Sequence, residues 1–280
     1  MIYNFFSFLL YIIIFITSIF NKKIKVFFAK RVCSVKSIEK GNYILIHASS
    51  LGEINLLDPF IKKILLDETK NIIISVVTDT GYNQALNKYS SSKVKVVYFP
   101  LDVNFLIKKM FKNINIEKTI IVETEIWPNL INYAYKNSQL FLLNGRISDK
   151  SFKSYFRLKF YLKPILNKFK YLIMQTEDDK DRIIKLGART DKVYNFGNLK
   201  FDINFDDYTS CLLFALRTLH NEIWIKEVVI KIHECTLKNI NIPIDRKMLI
   251  STIEQNKLGI KDLEFYKNSM WSDLKDRKSV

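Results

Sequence analysis

At 280 residues with 48% hydrophobic side chains, the chain can bury a sizeable core, which excludes wholesale disorder and fits one large domain or two modest ones. The net charge of +16 points to an anionic partner such as nucleic acid, a phospholipid surface or a phosphorylated substrate, although an overall excess of lysine assigns most of that charge to solvated surface. Cys33, Cys211 and Cys235 lack metal-ligand spacing and do not group with His47, His220 or His233, so reduced thiols and no structural metal are expected.

In chain order, residues 1–20 contain no charged side chain and are rich in Phe, Leu and Ile, which is enough to cross a bilayer as a helix. Lys22, Lys23, Lys25, Lys30 and Arg31 follow at once. A membrane anchor over residues 1–21 is expected, and the positive-inside tendency then places the rest of the chain on the cytoplasmic face of the inner (plasma) membrane. A cleaved signal peptide would need a basic start and a small-residue cleavage site, and neither is present. A helix lying in the interface is the remaining alternative.

From residue 43 onward, apolar strand-length runs at 43–46, 72–77, 94–99, 119–122, 140–143, 171–174 and 192–195 alternate with helix-length segments such as 54–68 and 177–186. Strict alternation implies right-handed crossovers and a parallel, doubly wound α/β sheet. Gly187 is placed to stop the helix at 177–186. The unusual residues fall directly after predicted strands, at 49–53, 78–81, 123–128, 144–148 and 175–178, so a parallel sheet gathers them on one rim, where such folds bind ligands.

Singly, each loop also reads as ordinary turn and cap chemistry: Thr78 and Ser148 as helix caps, Pro128 in a first helical turn, Gly52 and Gly145 in turns. Glu53, at the end of His47-Ala48-Ser49-Ser50-Leu51-Gly52-Glu53, is the candidate catalytic base, with a dipole-favoured first-turn acid as the alternative reading.

Taken in order, these segments resemble the Kdo (3-deoxy-D-manno-octulosonic acid) transferases of lipopolysaccharide biosynthesis. The likeness runs through residues 47–53, Thr78-Asp-Thr-Gly81, Glu123-Thr-Glu-Ile-Trp-Pro-Asn-Leu130, Asn144-Gly-Arg-Ile-Ser148, Gln175-Thr-Glu-Asp178 and Gly197-Asn-Leu-Lys-Phe-Asp202. It implies a GT-B glycosyltransferase with a Rossmann-like acceptor domain over residues 22–202. The implied reaction transfers Kdo from CMP-Kdo to a lipid A precursor (lipid IVA), inverting, with Glu53 as base and with no metal or cofactor. The positions expected to bind substrate are Ser50, Gly52, Thr80, Gly81, Glu123, Glu125, Trp127, Asn144, Arg146, Ser148, Gly197, Asn198 and Lys200. Arg146, Lys150, Lys153, Arg157 and Lys159 are placed to meet acceptor phosphates, and Phe152, Tyr155 and Phe156 to touch acyl chains or lipid. An amphipathic helix with its aromatics turned inward accounts for the same pattern.

After Asp202 the pattern departs from that family. Residues 217–222 and 243–246 look like worn versions of donor-domain segments, and Gly259 is the sole glycine beyond Gly197, whereas phosphate-binding turns need glycines. Residues 203–280 are expected to be a shortened, eroded donor domain with helices at 223–237 and 249–258. His220 and Glu222 read as relics of donor-binding residues or as surface residues at a helix start. The alternative function is a catalytically impaired, membrane-anchored lipid-A-precursor binding protein without a working donor site. Nucleic-acid binding rests on charge alone and is not expected.

Overall fold

The computed structural model describes residues 2–33, 38–65, 67, 69–89, 91 and 93–195. The expected donor-domain remnant, its two helices and His220 and Glu222 lie outside the described residues. Two apolar-to-basic helices, α1 (Ile2–Phe20) and α2 (Lys22–Cys33), precede the α/β unit. That unit runs β1 (Asn42–Ala48), α3 (Leu51–Leu56), α4 (Asp58–Leu65), β2 (Asn71–Val76), α5 (Asp79–Lys88), β3 (Val94–Tyr98), α6 (Asn104–Met110) and β4 (Asn115–Val122). It continues with α7 (Pro128–Asn137), β5 (Gln139–Gly145), α8 (Asp149–Arg157), α9 (Lys159–Leu166), β6 (Tyr171–Met174), α10 (Glu177–Lys185) and β7 (Val193–Asn195).

The seven strands form one sheet in the order β3-β2-β1-β4-β5-β6-β7, and every pairing from β3 to β6 is parallel. This is the doubly wound, Rossmann-like arrangement expected from the alternation of elements. Helices cover both faces, so the strands read as nearly continuous apolar runs: Ile44, Leu45 and Ile46 in β1 and Ile72, Ile73 and Ile74 in β2 are all buried. The order reverses between β1 and β4, which therefore flank the topological switch point.

Most strands fall within one or two residues of the expected bounds, and two larger departures occur. The helix expected over 54–68 is broken at Leu57 into α3 and α4, because Pro59 lacks an amide donor and crowds the preceding turn. Strand β4 begins at Asn115, earlier than its apolar run, because Asn115 and Ile116 pair with Asn42 and Tyr43 of β1 across a register shift.

Helix α10 ends as expected. Gly187 has φ +107°, and the amides of Gly187 and Ala188 donate to the carbonyls of Ile184 (2.8 Å) and Ile183 (3.2 Å), a Schellman closure. A side chain at Gly187 would be strained in this region and would meet Lys163 Cγ at 2.8 Å. Gly187→Ala is expected to cost about 1–2 kcal/mol, read as a lower denaturant midpoint at unchanged slope; a midpoint equal to that of wild type would show that the turn does not need glycine.

Candidate active site

Glu53 sits in the first turn of α3, just past the carboxyl end of β1, and is only 6% exposed. Its Oε2 accepts the Ser49 amide at 2.6 Å and its Oε1 accepts the Ser50 hydroxyl at 2.9 Å, while Ser50 Oγ accepts the Glu53 amide at 3.4 Å. These bonds are close to a capping box, as the alternative reading of a first-turn acid anticipates. Burial nonetheless raises the carboxyl well above the ordinary carboxylate range, to about 7; the Ser49 and Ser50 donors pull it down, and the charges of Glu123 and Glu125 push it up. The switch point thus brings Glu53 from the β1 loop together with Glu123 and Glu125 from the β4 loop.

Glu123 and Asn144 hold φ of 54° and 57° at the ends of neighbouring strands β4 and β5, and they are the positive-φ non-glycine residues among those described. Such a conformation costs on the order of 1–3 kcal/mol each and concentrates at functional sites. The Glu123 amide donates to the Leu143 carbonyl at 2.9 Å, which ties the two strained loops together. Thr124 latches them further, accepting the Arg146 amide at 3.0 Å and donating to the Arg146 carbonyl. Trp127, ahead of Pro128 at the start of α7, donates its indole N–H to Glu125 Oε2 at 2.8 Å. The Arg146 side chain points to solvent at this rim.

Other expected positions divide into packing and open surface. A Cβ on Gly81 would meet Val76 Cγ1 at 2.8 Å and the Ser50 backbone at 3.0 Å, so Gly81 lets α5 approach the Glu53 loop. Thr80 is exposed and contacts Thr78 at 3.4 Å, and Thr78 caps α5 and holds the Ser49 carbonyl at 2.9 Å. Ser148 caps α8 through the Ser151 amide, as its alternative reading expects. Gly52 is exposed, and a Cβ there would find only Ser50 Oγ at 3.8 Å, so packing gives no reason for glycine. Gly197, Asn198 and Lys200 lie outside the described residues.

On α8, Phe152 and Tyr155 pack toward the core while Phe156 stays half exposed, so the expected aromatic group is split between the two readings. Burial, then the charge of Glu125, pushes the Tyr155 phenol up, which sets α8 beside the site. Phe160 of α9 is 96% exposed, and Lys159 lies 5.4 Å from the Phe156 ring.

Three residues near the rim have roles that the sequence reading did not assign. His47 is fully buried, its ring 4.4 Å from that of Phe99, and burial lowers its pKa to about 3, so the imidazole is neutral at physiological pH. Asp102 is buried and accepts the first amides of α7, from Asn129 and Leu130, both at 2.9 Å. Arg31 is buried and reaches the carbonyls of Phe99 (2.9 Å) and Val77. Of these, only Asp102 leaves a local signal, an acid two residues after Pro100 at a strand end.

The sheet and its rim are those of a doubly wound, Rossmann-like α/β domain with a ligand-binding crevice at the switch point. Residues 26–203 match the 3-deoxy-D-manno-octulosonic-acid transferase (kdotransferase) family, and the chain belongs to it. It is 47% identical over 192 residues to a bifunctional glycosyltransferase/methyltransferase of Fusobacterium nucleatum, covering 68% of this chain and 30% of that one. It is 29% identical to the 3-deoxy-D-manno-octulosonic acid transferase of Haemophilus influenzae, over 69% of this chain and 48% of that one. For the enzyme of the same name from Rickettsia bellii the identity is 32%, over 71% and 49%. The chain thus spans 30% to 49% of the length of these relatives.

Two outcomes test the site. The unfolded chain ionises Glu53 in the ordinary carboxylate range, whereas the folded chain keeps the proton until about pH 7, so folded stability falls as pH rises through that window. Glu53→Gln removes the fall: its melting temperature should match wild type near about pH 4 and exceed it near about pH 8 by a few degrees, at roughly 2–4 °C per kcal/mol. Parallel melting curves at all pH values would show that Glu53 titrates normally. Gly52→Ala should leave the melting temperature within about 1–2 °C, since surface changes alter stability by at most about 0.5 kcal/mol, while weakening acceptor binding. Unchanged binding would remove Gly52 from the site.

Proposed function

We propose that this chain serves a glycosyl transfer in lipopolysaccharide biosynthesis, moving Kdo from CMP-Kdo onto a hydroxyl of a lipid A precursor, lipid IVA. The observation that carries this reading is Glu53, buried at the switch point with its pKa raised to about 7. A base whose pKa lies near the working pH is both ionised often enough and basic enough to take a hydroxyl proton. As Glu53 removes that proton, the acceptor oxygen bonds to the anomeric carbon of Kdo on the face opposite CMP. The carbon–oxygen bond to the CMP phosphate breaks with its electron pair, CMP leaves, and the configuration inverts. Burial, with the charges of Glu123 and Glu125 added to it, keeps the Glu53 proton affinity high, and Trp127 with Glu125 walls the acceptor sugar. Ser50 orients Glu53, while Gly52, Thr80, Gly81, Asn144 and Ser148 line the approach, and Arg146 meets an acceptor phosphate.

The domain division follows the same reading: residues 1–21 attach the chain to the inner membrane, 22–202 bind the acceptor on the cytoplasmic face, and 203–280 belong to the donor side. The exposed apolar helix α1 supports membrane attachment. The proposal also assigns Gly197, Asn198 and Lys200, outside the described residues, to substrate binding.

A radiolabelled transfer assay with the full chain, CMP-Kdo and lipid IVA tests the proposal. Glu53→Ala should lower product formation by about 10²–10⁴-fold, the usual contribution of a positioned base. Product that does not depend on Glu53 overturns the assignment. An inactive wild-type chain that still binds lipid IVA establishes the binding-protein alternative instead.

A further inference from the structure

We infer that α1 does not cross the membrane: α1 and α2 form a helical hairpin that embeds in one leaflet, keeping the amino terminus on the same side as the globular domain. This rests on the proposed membrane attachment and is independent of the transfer reaction.

The chain reverses at Asn21. Its side-chain Oδ1 accepts the amides of Lys23 (2.9 Å) and Ile24 (3.2 Å), which caps the start of α2. The rings of Tyr11 and Phe15 lie 5.5 and 5.7 Å from that of Phe28. Along one continuous helix, residues 15 and 28 would be about 20 Å apart.

Both open ends of this hairpin are fastened to the α/β unit. At the start of α1, the Tyr3 hydroxyl donates to Asp102 Oδ2 at 2.8 Å, and the rings of Phe8 and Tyr11 sit 6.4 and 5.2 Å from Phe105 of α6. At the end of α2, Arg31 donates to Phe99 and Val77, and Lys30 pairs with Asp79 at 2.9 Å. A helix of this length spans about 28 Å, close to the roughly 30 Å hydrocarbon thickness. If α1 crossed with its basic flank inside, Tyr3 would therefore stand on the opposite face, about 30 Å from Asp102. The hydrogen bond and both ring contacts would be lost, and a buried carboxylate would lose a donor.

The exposed surface of the hairpin fits a lipid leaflet. Phe5, Phe6, Leu10, Ile19 and Phe20 are exposed along α1, Phe20 by 84%. Lys22, Lys23 and Lys25 stand exposed at the turn, where their stems can lie in the apolar layer and their ammonium groups reach anionic headgroups. Between the hairpin and the rim lies a cavity of about 430 Å³, lined by Leu10, Ile14, Phe27, Val77, Phe99 and Trp127. It extends this apolar surface to the edge of the candidate site.

The test is sidedness. Cys33, Cys211 and Cys235 are replaced by Ser in the full chain, and a single cysteine is introduced as Asn4→Cys or, as a domain marker, Lys185→Cys. Both positions are exposed. After expression in a Gram-negative host, membranes are pelleted and spheroplasts are treated with a membrane-impermeant maleimide. The hairpin predicts that both variants pellet with membranes and that each labels at least tenfold more after permeabilisation than before. Labelling of Asn4→Cys in intact spheroplasts, with Lys185→Cys protected, would establish a single crossing and overturn the hairpin alone. Recovery of both variants in the soluble fraction would overturn membrane attachment itself.

Discussion

A parallel sheet wound in two directions from one strand must leave a crevice where the directions part, because the crossover helices on either side of that point cover opposite faces. Here the parting lies between β1 and β4, and the site follows from it. The loop after β1 supplies Glu53 and the loop after β4 supplies Glu123, Glu125 and Trp127. They are far apart in the chain and meet only because β1 and β4 are neighbours. The same parallel register carries Asn144 and Arg146 to the next position along the rim.

Glu53 makes the bonds of a helix cap and is also the proposed base, and the electrostatic demands of the two roles are opposed. A carboxylate that only caps a helix gains from donors and from the positive end of the dipole, both of which favour ionisation. Glu53 has such donors in Ser49 and Ser50, yet burial and two further carboxylates outweigh them. The cap bonds therefore fix where the carboxylate points, and the surroundings set its proton affinity. The left-handed backbone at Glu123 adds a second cost in the same place. Two unfavourable features in one crevice are hard to explain by folding alone.

The strands and rim loops were legible in the sequence because strand-length apolar runs and their flanking polar turns are local signals. Caps at Thr78 and Ser148 and the stop at Gly187 were legible for the same reason. Strand order was not, since nothing local in residues 43–46 says that its neighbours are residues 72–77 on one side and 119–122 on the other. The break at Leu57 was missed because the apolar spacing on either side of Pro59 stays in phase with a single helix. The raised pKa of Glu53 and the positive φ of Glu123 and Asn144 depend on burial and on cross-strand contacts. The first 33 residues gave a correct account of hydropathy, but their reversal at Asn21 depends on tertiary bonds from Tyr3 and Arg31.

Asp102 joins these parts of the molecule. Its carboxylate receives the first amides of α7, a favourable position for a negative charge, and also the hydroxyl of Tyr3. The helix it caps begins directly after Trp127, whose indole holds Glu125 beside Glu53. The Phe99 ring stands 5.3 Å from Trp127 and against His47, and the Phe99 carbonyl receives Arg31 from the other leg of the hairpin. The N-terminal helices are therefore fastened to the same residues that position the rim of the site. One carboxylate, Asp102, and one buried core ring, Phe99, thus join the hairpin to the surroundings of Trp127.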